Sequence, residues 1–376
     1  MNPDHRSLNP SPDPSPAPAP RGDFLLCSCQ GGAEESLGAR QAAILPAFTR
    51  GAWRRGVVTF RIGPPGFDPI DTFFPDLVFA RTVIRSLGQV TGADALACAA
   101  RVGELVAGTA WDNVHVWARD PRTAVDVVGL RAAVAAACGL SVVPDPIACA
   151  GDLVLDCVLD SAERWWVGWH RAETPPSTWP GGMYPGPIAA DKVSRAWLKL
   201  DEALATFNVP LEPGERAIEL GAAPGGACQR LLEAGLDVVG VDAAVVDERI
   251  AAHPRFEQWR MRAREVQLRR FKGCHWILTD MNIDPTSTME ALGRVVATGA
   301  AKPKGIIATL KLPDWSRAAD VPGWLDAFRS WGYEPVARQL STGGREICVV
   351  AMRAGRGGPA LHRPVTRRPA TRHRGA

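Results

Sequence analysis

Ala217-Ile218-Glu219-Leu220-Gly221-Ala222-Ala223-Pro224-Gly225-Gly226 decides how the rest of the chain is read. The apolar positions Ala217, Ile218 and Leu220 predict a short buried strand. A turn rich in Gly and Pro follows, and then a helical stretch over 227–233 with Leu231 and Leu232 as its apolar positions. Strand, Gly-rich turn and helix make the first unit of a nucleotide-type α/β sheet. Gly221, Gly225 and Gly226 lack a Cβ, so the backbone can turn sharply there and a ligand can approach it closely. A second strand, Val238-Val239-Gly240-Val241-Asp242, ends in an acid 23 residues after Glu219. An acid in that place can accept hydrogen bonds from ribose hydroxyls.

The turn is not the G-x-G-x-x-G of dinucleotide enzymes. Glu219 followed by G-A-A-P-G-G suits a cationic, phosphate-free ligand such as S-adenosyl-L-methionine better than a pyrophosphate. The bland alternative is a tight strand-to-helix turn of a domain that binds nothing.

The later strands of the same sheet are predicted at Trp276–Asp280, Gly305–Lys311 and Ile347–Met352, with an amphipathic helix over Val321–Trp331. Alternating strands and helices imply a mostly parallel, Rossmann-like α/β sheet covered on both faces, running to about residue 353. Ser194 is placed to cap a helix whose apolar face is Ala196, Trp197, Leu200, Ala203 and Leu204. Upstream, strands are expected at 24–27, 56–62, 114–118, 153–158 and 165–170. Helices are expected at 34–45, 93–107 and 130–138. Together they suggest two small α+β modules over 23–99 and 100–172. Gly and Pro cluster densely over 173–190, which reads as a linker or as a loop lying over another part of the chain.

Residues 1–22 hold seven Pro and little that is apolar, and 354–376 carry six Arg and no acid. Neither tail can bury a core, and both are expected to be disordered. The basic tail could meet RNA phosphates without sequence preference, or merely solvate. At 376 residues with a net charge of +3, overall charge says little about nucleic acid, and local patches must carry that case. Arg50, Arg54 and Arg55 cluster near Trp53; Arg260, Arg262, Arg264, Arg269, Arg270 and Lys272 make a second cluster. Each could equally be a solvated face.

No run of 18 apolar residues marks a membrane span, and no signal-type segment opens the chain, so a cytoplasmic protein without membrane contact is expected. Nine Cys without a C-x-x-C pair read as free thiols rather than metal ligands.

Four ionisable residues sit where this topology gathers them. Asp280 and Lys311 end neighbouring strands at the carboxyl edge, where open α/β sheets bind ligands. Lys199 lies on the helix leading into the first strand, and Glu346 opens the last. A Lys beside another Lys can have a lowered pKa and act as a base, whereas flanking carboxylates pull the other way and orient the amines. A snorkelling surface lysine is the bland reading of Lys311. Methyl transfer to a hydroxyl needs a proton removed and the oxygen held in line, and requires no metal.

Ser194–Ala203, the G-A-A-P-G-G turn, Thr279-Asp280-Met281, Leu310-Lys311-Leu312-Pro313 and Gly344-Arg345-Glu346-Ile347 resemble the FtsJ-type ribose 2′-O-methyltransferases. That resemblance implies a Lys-Asp-Lys-Glu tetrad at Lys199, Asp280, Lys311 and Glu346, with Lys311 as the principal base. It also implies cofactor contacts at Ser194, Ala223, Pro224, Gly225, Gly226, Asp242 and Asp280, beside Glu219 and Gly221 of the turn itself. Phe74–Arg81 and Trp166–Trp169 extend the similarity to the RlmM-type enzymes, which methylate a cytidine ribose of large-subunit ribosomal RNA. By that resemblance 23–99 is a ferredoxin-like module, 100–172 a THUMP-like RNA-binding module and 191–353 the methyltransferase domain. A single-stranded or unfolded rRNA region is the expected partner, and a monomer the expected state.

The family's acid near the adenine falls here on Arg264, with Glu265 adjacent, and Ala227 stands where relatives carry Trp. Arg264 motivates a second reading, a catalytically silent RNA-binding protein that keeps the fold. A Rossmann oxidoreductase is a third, weakened by the missing G-x-G-x-x-G.

Overall fold

The computed structural model describes residues 22–63, 77–120, 122–123, 125–186 and 191–355. Residues 1–21 and 356–376 of the expected tails, Phe74 to Asp76 of the upstream motif and the last four residues of the expected linker lie outside the described residues.

Strands β1 (Phe24–Cys29), β2 (Thr49–Arg54), β3 (Val57–Arg61), β4 (Ala80–Thr91), β5 (Asn113–Ala118), β6 (Leu153–Ser161) and β7 (Arg164–Arg171) form one sheet in the order β2-β3-β1-β4-β7-β6-β5. Only β5 and β6 run parallel. Helix α1 (Glu34–Ile44) follows β1, α2 (Ala95–Leu105) follows β4, and α3 (Val127–Ala137) follows β5. The expected division at residue 99 falls inside α2, and strands from both sides of it pair in this one sheet. The cause is β4: its twelve residues are long enough to pair with β1 along one edge and with β7 along the other. Two 3₁₀ turns, Pro175–Thr178 and Pro180–Gly182, open the stretch expected to be a plain linker.

Helix α4 (Arg195–Phe207) then leads into the second sheet. Ser194 Oγ accepts from Ala196 N at 3.3 Å, the predicted cap, and Trp197, Leu200, Ala203, Leu204 and Phe207 are buried. A cap of this kind contributes about 1 kcal/mol. Strands β8 (Arg216–Leu220), β9 (Asp237–Val241), β10 (Phe256–Trp259), β11 (Trp276–Thr279), β12 (Gly305–Lys311), β13 (Tyr333–Arg338) and β14 (Glu346–Arg353) pair in the order β10-β9-β8-β11-β12-β14-β13. The first five of that order are parallel, and β14 is antiparallel to both its neighbours. Helices α5 (Gly226–Glu233), α6 (Glu248–Ala251), α7 (Pro285–Val296) and α8 (Val321–Ser330) complete a Rossmann-like α/β domain. The apolar cores of the two halves meet where Phe79 packs edge-on against Trp315, ring centroids 6.4 Å apart.

Candidate active site

The register of the second sheet brings the four ionisable residues together. Antiparallel pairing of β12 with β14 sets Lys311 directly opposite Glu346. Parallel pairing of β11 with β12 brings Asp280, the residue after β11, alongside. Helix α4 lays Lys199 over the same edge. Lys311 Nζ donates to Asp280 Oδ1 at 2.7 Å and to Glu346 Oε2 at 2.5 Å. Lys199 Nζ donates to Asp280 Oδ2 at 2.8 Å and lies 3.0 Å from Glu346 Oε1. Charges alternate around a closed ring, each ammonium between two carboxylates.

The ring is mostly buried yet reachable: its four side chains are 9–19% exposed. Burial alone pulls the Lys311 ammonium down; Asp280 and Glu346 outweigh it and leave the group above its ordinary value of 10.5. Burial pushes Glu346 up, and Lys199 and Lys311 more than reverse that, holding its carboxyl below 4.5. Lys311 is therefore no free surface lysine, and at neutral pH it carries its proton.

Beside the ring opens a cleft of about 810 Å³ whose lining includes Gly221, Ala223, Asp242, Asp280, Met281 and Arg264. The turn that shapes it needs its glycines. Gly221 (φ +83°) and Gly225 (φ +116°) occupy the left-handed region, and a Cβ on Gly226 would come within 2.2 Å of Ser194 Oγ. Asp242 closes the turn by accepting from Ala223 N at 3.1 Å and from Ala244 N at 2.9 Å. Each of its oxygens keeps a second lone pair for a ribose hydroxyl.

Of the residues expected to contact a cofactor, Gly221, Ala223, Asp242 and Asp280 line this cleft. Ser194, Pro224, Gly225 and Gly226 shape the turn behind it. Glu219 faces the other way: its Oε2 accepts from Cys228 Sγ at 2.9 Å, and it lines a small cavity under α4 with Lys199, Thr279 and Asp280. Burial there pushes Glu219 up to about 8.

Arg264 stands at the cleft. Glu265 does not line it, its carboxylate accepting instead from Arg262 N at 3.0 Å. Glu290 and Arg294 were not singled out in the sequence, and both line the cleft, as does Met281 of the Thr279-Asp280-Met281 motif. Arg294 also donates to Val266 O at 2.8 Å, pinning the turn that carries Arg264. The signal for their helix was Asp284-Pro285, an N-cap followed by Pro at the first helical position; Asp284 Oδ1 accepts from Thr286 N at 2.8 Å.

Of the basic clusters, Arg50 is spent on Glu35 through two 2.8 Å hydrogen bonds, and Arg270 stacks 3.9 Å over Trp259. Trp53 is 53% exposed on β2. Among the described residues no helix is long and apolar enough to cross a membrane.

Residues 192–307 match the family model described as FtsJ-like methyltransferase. The resemblance read from the motifs is borne out over that stretch. Curated relatives named ribosomal RNA large subunit methyltransferase M are similar over about half of the chain. The protein of Xanthomonas campestris pv. campestris (strain B100) is 31% identical over 212 residues, 54% of this chain and 56% of the relative. That of Halorhodospira halophila (strain DSM 244 / SL1) is 33% identical over 188 residues, 48% of this chain and 52% of the relative. The chain thus spans a little over half the length of the curated relatives it matches. The solved structure of TrmN from Thermus thermophilus aligns at 14% identity with a TM-score of 0.34, over 88% of this chain and 99% of that one.

Proposed function

We propose that this protein transfers a methyl group from S-adenosyl-L-methionine to the 2′-hydroxyl of a ribose, that of a cytidine in an unpaired region of large-subunit ribosomal RNA. The closed Lys199–Asp280–Lys311–Glu346 ring carries the reading. Nothing in folding asks for two ammonium and two carboxylate groups at a sheet edge, and the FtsJ-like match over residues 192–307, which contains Lys199 and Asp280, supports the reading.

The cleft beside the ring fits the cofactor. Gly221 and Ala223 let backbone approach it, Asp242 offers acceptors to its ribose, and Asp280 offers negative charge toward its sulfonium. When bound, that group supplies an electrophilic methyl whose departing sulfur keeps the bonding pair.

The protein's part is to orient and to accept a proton. Lys311 Nζ, once neutral, takes the 2′-hydroxyl proton as the oxygen–carbon bond forms, and ends as the ammonium. Lys199 and Glu346 hold the ribose oxygen in line, and Asp280 links the ring to the cofactor cleft. The carboxylates that raise Lys311 also fix its direction. The ring therefore lowers the fraction of neutral amine at neutral pH and gains placement.

The test is transfer of labelled methyl to protein-free large-subunit rRNA by the wild type and by Lys311→Ala. Label in RNA with the wild type alone, at a ribose that then resists alkaline cleavage, is the expected outcome. A folded Lys311→Ala protein that methylates normally removes the base assignment. A wild type that binds no S-adenosyl-L-methionine in calorimetry turns the reading to a silent RNA-binding protein, as Arg264 at the cleft would favour.

A further inference from the structure

Three residues beyond Lys199 on the same helix, Glu202 is 2% exposed, a carboxylate in the core. A charge so placed is costly unless it is paired. Its partners come from far along the chain. Glu202 Oε1 accepts from Ser341 N at 2.7 Å; Oε2 accepts from Thr342 N at 2.7 Å and from Thr342 Oγ1 at 2.6 Å. Three donors thus converge on one buried carboxylate, all from the loop between β13 and β14.

That loop delivers Glu346. Gly343 N donates to Leu340 O and Glu346 N to Gly344 O, so the chain tightens just before the acid. A Cβ on Gly343 would sit 3.1 Å from Glu346 Oε1. One helix therefore holds Lys199 directly and Glu346 through the loop. The upstream half grips the loop's other side: Gln339 N donates to Val78 O at 2.8 Å, Tyr184 N donates to Ser341 Oγ at 3.0 Å, and Arg338 donates to Arg81 O. Burial lowers the Arg81 and Arg338 guanidiniums, Arg338 to about 10, and Glu202 is the acid that pulls both back up.

We propose that Glu202 is a positioning residue for methyl transfer: it clamps the 341–342 amides to α4 and so keeps Glu346 in register with Lys199. The inference rests on the proposed function, because it assigns Glu202 a part in that tetrad's work. Glu202 touches neither substrate nor cofactor and acts only through the loop. The upstream sheet, seated on the same loop, then contributes to the geometry of the ring as well as to RNA contact.

The experiment uses the full chain and compares wild type, Glu202→Gln, Glu202→Ala and Thr342→Val by kcat, by KM for S-adenosyl-L-methionine, by cofactor calorimetry and by thermal unfolding. Glu202→Gln keeps one acceptor oxygen and the shape of the side chain. The expected result is a kcat about tenfold lower for Glu202→Gln and at least a hundredfold lower for Glu202→Ala, with cofactor KM within threefold of wild type. Thr342→Val, which removes one of the three hydrogen bonds and folds whether or not the Glu202 variants do, should lose kcat severalfold. Folded variants with kcat within twofold of wild type overturn the proposal, as does a loss matched by equal loss of cofactor binding. An active wild type beside unaffected variants overturns this inference alone; an inactive wild type overturns the methyl-transfer reading and this inference with it.

Discussion

Each sheet of this protein encloses a cluster of opposite charges, and the two clusters are built to different ends. In the upstream sheet Asp156 on β6 lies between His170 on β7 and His115 on β5, all three at 0–1% exposure. His170 Nδ1 donates to Asp156 Oδ2 at 2.5 Å, and its Nε2 lies 2.7 Å from Ser177 O on the first 3₁₀ turn. Trp117 Nε1 donates to Asp156 Oδ1 at 3.3 Å. That cluster is fully buried: His170 and Asp156 are spent on each other and on tying the connector to the sheet, while His115 lies 3.9 Å from Asp156 Oδ1 with neither ring nitrogen hydrogen-bonded among the described residues. In the downstream sheet the tetrad stands at the strand ends beside a cleft, where a hydroxyl can reach it. The pairing chemistry is alike; solvent access separates a strut from a candidate catalyst.

The sharpest break of this comparison is a pair of substitutions. Lys311→Ala should lower kcat by about 10²–10⁴, the usual worth of a positioned base, while leaving cofactor binding and the unfolding midpoint near wild type. Asp156→Asn should do the reverse. Removing one partner of a buried pair costs about 3–5 kcal/mol, seen as a lower denaturant midpoint, with kcat of the folded fraction retained. Equal behaviour of the two variants would erase the distinction.

The pH dependence sharpens it next. Lys311 is held above 10.5 and must be neutral to accept a proton. Below that value the neutral fraction grows tenfold per pH unit, so log kcat should climb with a slope near one between about pH 7 and 9. A flat profile there would rule out Lys311 as the base. Stability should respond to the other cluster. Burial lowers His115 to about 3 from 6.5, with Asp156 opposing. Its folded value lies below its unfolded one, so the unfolded chain takes up the proton first and stability is lost as pH falls from about 6.5 toward 3. His115→Phe should move the acid-unfolding midpoint to lower pH; an unmoved midpoint would mean that another group drives it.

The smallest expected effect belongs to the surface. Trp53→Ala should weaken binding to single-stranded RNA by about 1–3 kcal/mol, the worth of one stacked base, in a filter-binding titration, without changing kcat at saturating RNA. Unaltered affinity would move the RNA path off β2.

What the sequence disclosed follows from where side chains point. The central strands of the downstream sheet were legible, because strands buried on two faces read as apolar runs such as Ile306–Leu310. Four strands escaped notice: β2, β10 and β13, all at sheet edges, and β4 in the middle of the upstream sheet, whose run Ala80–Thr91 is broken by Arg81, Arg85, Ser86 and Gln89. Thr49–Arg54 buries nothing, Phe256–Trp259 is four residues long, and Tyr333–Arg338 contains Pro335. Asp280, Lys311 and Glu346 were legible as motif residues at strand ends, and Lys199 as a motif residue on α4. Glu202 was not, since the donors that justify its burial lie about 140 residues away and no local period predicts them. Glu219 was expected among the cofactor contacts, but the direction of its side chain was not legible, because Cys228 Sγ meets it only once α5 packs on β8.

The exposed β2 has one more consequence. It is the outermost strand of its sheet, all six residues are exposed, and its far side has no strand to pair with among the described residues. Such an edge invites another chain to add a strand and start aggregation. The irregularity between Arg50 and Trp53, where the register with β3 shifts, and the charges of Arg50 and Arg54 are the usual deterrents to that pairing. Arg54, and Arg50 with its partner Glu35, thus serve as gatekeepers, and neutralising them would test solubility.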